Sequence, residues 1–365
     1  MQEEIGRRVA ARMGAVCAGE SQRAFAARVQ MTPDSFSRAL SGQRAFSSLE
    51  LARIADALDA DIHWLITGEP DPHRLVVAAR HNFDFATGRR DVPGREDDEK
   101  ILNDIGLAYR QAYQTVNGVG VQLPSSLDEI RYRLGASYVR PFAHRLESNL
   151  GVDVVRVAGL STSYSFSVAG RKVIVVAATG NWFHENWSIA HELGHLMAGH
   201  HDDQSSTVDA HESAANAFAA ELLLPPDSLR ALDWVSISDS VLAERVWNSG
   251  VSTDALVRRL NYLSVPYSPF VAKWAEQPTQ RLLRRHWVPT EDGFDPITVR
   301  MDDAASRRFP LSLQEEHLKM IAGGALGKGT LAWMLGIDPA DLEIDSPSDG
   351  EEIGPDELAA ALGLY

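Results

Sequence analysis

A histidine–glutamate motif stands out at positions 191–195, which read His-Glu-Leu-Gly-His. If this segment is helical, His191 and His195 project from one face, because residues four apart are neighbours on a helix. Two imidazoles in that arrangement can occupy two corners of a tetrahedral zinc site. Glu192 lies one position further round the helix, where it can reach a metal-bound water without binding the metal. The motif therefore predicts a metal-dependent hydrolytic centre with Glu192 as its general base.

A catalytic zinc needs a third protein ligand and an open position, and two residues after the motif are candidates. Glu212 lies on the same face as the apolar row of the helical segment that follows it. A carboxylate on a buried face is costly unless a partner such as a metal pairs with it. His201 is the alternative, since it follows His195 by six residues, as in the HExxHxxGxxH arrangement of metzincins. That arrangement requires glycine where this chain has Ala198, so the spacing favours Glu212.

Six of the twelve histidines fall between positions 184 and 211, which concentrates imidazoles around the motif. A hydrolytic centre needs a further donor for the oxyanion, and metal ligands need partners behind them. The residues that could supply these contacts are His184, His200, His201 and His211.

Short β-branched runs precede the motif. The runs 152–157 and 172–178 have the length and composition of strands, and the alternating segment 161–168 is a candidate third strand. The motif helix is predicted to begin near Asn186, and Gly194 allows it to lie close to a neighbouring element. These elements predict a small sheet that carries the motif helix.

The chain divides by pattern into five regions. Residues 71–96 are rich in turn formers and charges and are predicted to be a linker. We expect a multidomain, mainly α protein, in which an all-α domain precedes an α+β domain with a small sheet and a helical C-terminal region. The predicted boundaries are 1–70 for the N-terminal domain, 71–96 for the linker, 97–230 for the domain with the motif, 231–280 for a helix-turn-helix-like subdomain, and 281–365 for a small helical module.

Residues 21–60 have the layout of a helix-turn-helix. Thr32 is a good N-cap for the second helix, Pro33 suits its first position, and Gly42 ends it. The segment resembles the Cro/CI-like (XRE) family of DNA-binding domains. The resemblance rests on Gln22 at the start of the first helix, the small-residue turn, the Ser-Gly pair after the second helix, and the ARIADAL segment.

This resemblance implies that the second helix enters the major groove of double-stranded DNA. Eight arginines against nine acidic residues leave residues 1–70 slightly acidic. A monomer should therefore bind DNA weakly, and we expect a homodimer on a two-fold site. The contacts implied by position are Asp34, Ser35, Ser37 and Arg38 at bases, and Gln22, Arg23 and Arg44 at phosphates.

Residues 97–225 resemble the ImmA/IrrE family of metallopeptidases. The matching segments are DEKILNDIGLAY, LGVDVVRVAGLS, RKVIVVAA, SIAHELGHL and ESAANAFAAELLLP, of which the last two are specific to the family when found together. The resemblance implies a zincin-like fold and assigns the third metal ligand to Glu212, three residues before the alanine of the Ala-Asn pair. The chain departs from the family pattern at HENWSIA and at Ala214, and neither change removes a ligand or the base. His/His/Glu ligation suits Zn²⁺ best among common metals, with Mn²⁺ as the alternative.

Composition indicates where the protein works. Cys17 is the single cysteine, and the first 14 residues hold no apolar stretch of signal-peptide length, so we expect a cytoplasmic protein without a membrane segment. The net charge of −15 excludes a general polyanion binder. Any DNA contact must therefore come from a local surface.

Two hypotheses for the function follow. The first is a DNA-binding transcriptional regulator with a zinc-dependent endopeptidase domain. The resemblance to the ImmA/IrrE family implies that this domain cleaves a partner repressor or antitoxin in a stress or mobile-element response. A fused DNA-binding domain would raise the local concentration of the peptidase near a DNA-bound repressor. The second is a transcription factor whose peptidase-like domain senses a ligand or metal without proteolysis. Glu192 argues for the first, because a structural zinc has no use for a base.

Overall fold

The computed structural model describes residues 2–17, 19–58, 60, 62–69, 77–79, 82–84, 89–91, 94–113, 121–200, 208–287 and 295–344. The chain forms two compact units, residues 1–74 and residues 75–365. Within the described residues, no helix is both long and apolar enough to cross a bilayer.

The first unit is helical. Its helices are α1 (Gln2–Val16), α2 (Gln22–Arg28), α3 (Pro33–Leu40), α4 (Ser48–Leu58) and α5 (Ile62–Thr67). Thr32 caps α3 as predicted, since its hydroxyl accepts a hydrogen bond from the Ser35 N–H and Pro33 follows it. Phe25 of α2 and Phe36 of α3 pack with ring centroids 5.5 Å apart, and Ile54 of α4 lies in the same buried cluster. The unit thus builds its own core.

The second unit contains all the strands of the described chain. The strands are β1 (Val77–Ala79), β2 (Asn82–Asp84), β3 (Arg89–Asp91), β4 (Val152–Val157), β5 (Tyr164–Val168) and β6 (Arg171–Ala177). The helices are α6 (Arg95–Ala112), α7 (Leu127–Leu134), α8 (Phe142–Leu150), α9 (Trp182–Ala198), α10 (Val208–Leu223), α11 (Pro226–Arg230), α12 (Asp239–Ser249), α13 (Thr253–Tyr262), α14 (Pro269–Ala275), α15 (Thr279–His286), α16 (Pro296–Ala305), α17 (Leu311–Ala322) and α18 (Gly329–Leu335).

A four-stranded sheet in the order β1-β5-β6-β4 organises this unit. β4 and β6 are parallel, and β5 pairs antiparallel with both β6 and β1. The three strands predicted from the sequence are β4, β5 and β6. β1 lies within residues 71–96, which we predicted to be a linker, so that segment also completes the sheet. A strand at the edge is held by backbone hydrogen bonds, so its side chains need not carry a strand pattern.

The sheet is covered on both faces. Val154 of β4 and Ile174 of β6 belong to a large core with α9, α12 and α13. Val155 and Val175, one residue further along each strand, belong to a second core with α6, α17 and α18. This division follows from the alternation of side chains along a strand. The predicted subdomain 231–280 and C-terminal module 281–365 therefore both contribute to the cores that enclose the sheet.

α9, which carries the motif, begins earlier than predicted. The Asn181 side chain accepts a hydrogen bond from the His184 N–H, so the helix starts at Trp182, four residues before Asn186. Its first turn is held by a buried ion pair of 2.7 Å between Glu185 and Arg156 of β4. Burial raises the pKa of Glu185, and the Arg156 guanidinium opposes that shift. These contacts attach the start of the motif helix to the sheet.

Gly194 allows α9 and α10 to approach closely. A Cβ at this position would lie 3.1 Å from Cα of Ala215 and 3.2 Å from Cβ of Phe218. We expect Gly194→Val to lower the free energy of unfolding by about 1–3 kcal/mol through overpacking. Urea denaturation of the purified protein measures this loss. Gly14→Val is the control, because a Cβ there meets nothing within 4 Å. If both variants lose the same free energy of unfolding, the close approach of α9 and α10 at Gly194 does not contribute to stability.

Candidate metal centre

Three side chains from α9 and α10 converge in the second unit. The Nε2 atoms of His191 and His195 lie 3.1 Å apart, and each is 3.4 Å from a different carboxylate oxygen of Glu212. Each of the three residues is at most 2% exposed. One donor atom from each side chain lies within 4.8 Å of the other two. The structure therefore brings together the three residues that the sequence predicted as metal ligands.

The three donors fit a metal ion. Two facing imidazole nitrogens and a buried carboxylate would be costly as an isolated polar cluster. A divalent cation placed between them would neutralise the carboxylate and use the lone pair of each nitrogen. Two imidazoles and one carboxylate with an open fourth position are also the donor set of many catalytic metal sites.

Asn216 lies behind the first of the histidines. Its Oδ1 is 3.2 Å from Nδ1 of His191. An amide oxygen only accepts hydrogen bonds, so Nδ1 carries the proton and Nε2 keeps a lone pair for a metal. Sequence reasoning did not assign this role. The spacing could have indicated it, because Asn216 follows Glu212 by four residues and therefore lies on the same face of α10.

Glu192 points toward β5. Its two carboxylate oxygens accept hydrogen bonds from the hydroxyls of Ser163, at 2.9 Å, and Ser165, at 2.7 Å. Tyr164 and Phe166, which alternate with these serines, face the second core, so the strand presents the serines to α9. Burial raises the pKa of Glu192 from 4.5 to about 6. His195 and the hydroxyls of Ser163 and Ser165 lower this pKa and so oppose part of the effect of burial. The serines therefore orient the predicted base and favour its ionised form.

Sequence reasoning missed Ser163 and Ser165 as partners of the base. The segment Ser161 to Val168 alternates serine or threonine with larger residues. Such a pattern on a candidate strand indicates one polar face. The pattern does not indicate, however, that this polar face contacts Glu192, because that contact depends on the fold.

Ser165→Ala is expected to destabilise the metal-free protein in a pH-dependent way. Loss of a hydrogen bond to a buried carboxylate costs about 1.5–3 kcal/mol. Because the pKa of Glu192 is about 6 in the folded protein, the carboxylate is mostly charged at pH 7.5 and mostly neutral at pH 5. Because the pKa of Glu192 is raised on folding, the free energy of unfolding falls as the pH rises from 4.5 through 6. Removal of the Ser165 hydroxyl raises this pKa further and makes that fall larger. The loss should therefore be larger at pH 7.5 than at pH 5.

Urea denaturation at the two pH values, with chelator present, measures this effect. Ser167→Ala is the matched control, because Ser167 lies on the same strand and is exposed. A loss of equal size at both pH values, or an equal loss in Ser167→Ala, would contradict the assigned contact.

The other histidines take different positions. His195 Nδ1 lies 2.9 Å from Nδ1 of His200, and the rings of His200 and His211 stack with centroids 3.9 Å apart. His184 lies two turns before His191 on α9, with its Nδ1 3.5 Å from the Ser188 hydroxyl. His201, the alternative third ligand and a candidate oxyanion donor, lies outside the described residues.

A groove of about 1200 Å³ lies beside the centre. It is lined by α9, α10 and α13 and by residues near the start of α15. His184 and Trp187 line it from α9, while Ser213 and Asn216 line it from α10. Asn216 also contacts His191, so the groove reaches a direct neighbour of that histidine, while His191, His195, Glu212 and Glu192 themselves do not line it. The ion pair between Arg259 and Glu221, 2.5 Å long, lies in its wall.

The residues predicted to contact DNA lie on the first unit. Ser35 is half-buried on α3. Arg44 is also half-buried, and its guanidinium donates to the Ser35 carbonyl and to Glu50, which lowers the pKa of that carboxyl. These internal contacts hold Arg44 within the fold, and its phosphate contact remains a prediction. The predicted contacts that are exposed are Gln22, Arg23, Asp34, Ser37 and Arg38.

Residues 147–261 match the family model of the IrrE N-terminal-like domain (Peptidase_M78). No curated protein and no solved structure matches the chain significantly. The matched range is under a third of the chain and extends from the end of α8 through α13. This range begins and ends later than residues 97–225, whose sequence resembles the ImmA/IrrE family. It contains His191, His195 and Glu212, and also Glu192. The similarity supports a metallopeptidase-type function for this part of the second unit.

Proposed function

We propose that the protein is a zinc-dependent endopeptidase and a DNA-binding transcriptional regulator. The observation that carries the peptidase proposal is the convergence of His191, His195 and Glu212 beside Glu192. His/His/Glu is the ligand set of hydrolytic zinc sites. Imidazole and carboxylate together favour Zn²⁺ over Mn²⁺. Metal analysis of protein purified without added metal would distinguish the two ions.

The chain's own groups perform the proton transfers in this proposal. When bound, zinc supplies Lewis acidity that polarises a peptide carbonyl and makes water a stronger acid. Glu192 takes a proton from the attacking water and later delivers it to the nitrogen of the leaving amine. Ser163 and Ser165 keep its carboxylate oriented for both transfers. Asn216 holds His191 in the tautomer that leaves Nε2 available.

The groove offers a place for the polypeptide substrate. It includes Asn216, which contacts His191 at Nδ1, and its apolar surface includes Trp187 and Phe183. Arg259 and Glu221 pair with each other in its wall, which suits a segment of mixed composition better than a highly charged ligand. Of the predicted oxyanion donors, His184 lines the groove, whereas His211 stacks on His200. We therefore favour His184 for contact with the substrate.

Cleavage of a fluorogenic peptide library tests the peptidase proposal. The zinc-loaded protein should cleave a subset of peptides, and a chelator should abolish the cleavage. Co-expression with repressors and antitoxins then tests whether these proteins are the substrates, as the resemblance to the ImmA/IrrE family implies. If no peptide and no such protein is cleaved by zinc-loaded protein, the peptidase proposal fails.

DNA binding is proposed for the first unit. Supporting it are the helix α3, which exposes Asp34, Ser37 and Arg38, and its capped start at Thr32. Selection from a random duplex library should yield a two-fold site bound by a homodimer. Arg38→Ala should weaken binding to that site, whereas Arg133→Ala, in the second unit, should not. Absence of any selected sequence would contradict the proposal.

A second function, metal or ligand sensing without proteolysis, has one observation in its favour. The side chains of the centre, including Glu192, are almost completely buried, as in a site that holds a metal rather than one that admits a large substrate. In this alternative, zinc removal changes DNA affinity while no peptide is cleaved. Measuring DNA affinity with and without chelator, alongside the cleavage assay, separates the two functions.

A further inference from the structure

Two histidines outside the ligand set lie against the metal centre. His200 approaches His195 on the side opposite the shared metal position, with Nδ1 to Nδ1 at 2.9 Å. The ring of His211, one residue before Glu212, stacks on the ring of His200 at 3.9 Å with 12° between their planes. The mechanism proposed above uses neither side chain. Both come from the histidine-rich segment that the sequence singled out.

The end of α9 places His200 at this position. Gly199 adopts the left-handed conformation, with φ of 65°, and the His200 N–H donates to the His195 carbonyl at 3.2 Å. This turn ends the helix in a manner typical of glycine at a helix C-terminus. It folds the chain back, so the ring of His200 meets the ring of the residue five positions earlier.

We propose that His200 is a positioning residue for the metal centre, a role that rests on the proposed metal site. For His195 to bind a metal through Nε2, its Nδ1 must carry the proton. That N–H then donates to Nδ1 of His200, whose own proton resides on Nε2. The contact selects the metal-binding tautomer of His195 and holds its ring in place.

The two ligands on α9 are thus supported in parallel ways. Asn216 Oδ1 accepts from Nδ1 of His191 at 3.2 Å, and His200 Nδ1 accepts from Nδ1 of His195. Oδ1 of asparagine and Nδ1 of histidine are both bonded to Cγ, so the two acceptor atoms occupy equivalent positions on their side chains. The stack with His211 limits rotation of the His200 ring and keeps its acceptor aimed at His195.

The equivalence of these acceptors allows a test by substitution. His200→Asn retains an acceptor at the same atom position, whereas His200→Phe retains the ring and its stack on His211 but has no acceptor. His200→Ala removes both. We expect His200→Phe and His200→Ala to bind zinc about 10- to 100-fold more weakly than the wild type, the range typical of lost outer contacts. We expect His200→Asn to remain within about threefold of the wild type.

Competition for zinc with a chromophoric chelator at pH 7.5 measures these affinities without any cleavage assay. His144→Ala, at an exposed histidine of α8, controls for removal of a surface imidazole. Circular dichroism and urea denaturation of the metal-free variants show whether each one folds. If His200→Ala fails to fold, the comparison between His200→Asn and His200→Phe still decides.

The outcomes separate this inference from the proposed function. Full affinity in His200→Phe, or an equal loss in His200→Asn and His200→Phe, would overturn the acceptor role of His200. Wild-type protein that binds no zinc would instead overturn the metal centre itself. Wild-type binding with unchanged affinity in every His200 variant would overturn only the positioning role.

Discussion

Glu212→Gln is expected to abolish zinc binding at physiological concentrations. The carboxylate contacts both imidazoles of the centre, with each oxygen 3.4 Å from one Nε2. An amide has nearly the same shape but no charge, so it cannot neutralise the cation in a buried site. Loss of an outer contact weakens metal binding about 10- to 100-fold, and loss of a ligand should exceed that. Metal analysis and competition with a chelator measure the effect.

Two further variants sharpen this test. Glu221→Gln, on the same helix and paired with Arg259 at the surface of the groove, should retain zinc at the wild-type level. His201→Asn should also retain zinc. Zinc retained in Glu212→Gln but lost in His201→Asn would instead support the HExxHxxGxxH arrangement, with His201 as the third ligand.

Glu192→Gln is expected to retain zinc and lose cleavage by a factor of about 10²–10⁴. The carboxylate is not a ligand, since both of its oxygens accept hydrogen bonds from Ser163 and Ser165. The amide oxygen can still accept one of these bonds, so the variant should fold. It cannot take a proton from water, which removes the general base. Rates of peptide cleavage at matched zinc content measure the loss.

The control for this variant is Glu129→Gln on α7, where the glutamate pairs with Arg133 at the surface. Its rate should equal that of the wild type. A Glu192→Gln protein that holds zinc and cleaves at the wild-type rate would show that another group acts as the base. Loss of zinc in that variant would show that Glu192 contributes to metal binding.

The sequence alone predicted the parts of this protein that depend on local periodicity. His191 and His195 lie four residues apart, and Glu212 shares the buried face of the following helix, so their directions follow from helix geometry. The β-branched runs at 152–157 and 172–178 became β4 and β6, because such residues suit buried strands. The spacing of the motif was enough to predict His191 and His195 as ligands and Glu192 as the base. The choice of Glu212 over His201 as the third ligand also needed the resemblance to the ImmA/IrrE family.

Only the tertiary structure decided which groups meet across the chain. Ser163 and Glu192 are 29 residues apart, and His191 and Asn216 are 25 apart. A period of two or 3.6 residues specifies which face a side chain occupies, and it carries no information about the element packed against that face. The pairing of β1 with β5 was hidden for a related reason, since backbone hydrogen bonds leave little trace in side-chain pattern. The packing of α9 against β5 and α10 brings these distant residues into contact, which neither strand nor helix periodicity encodes.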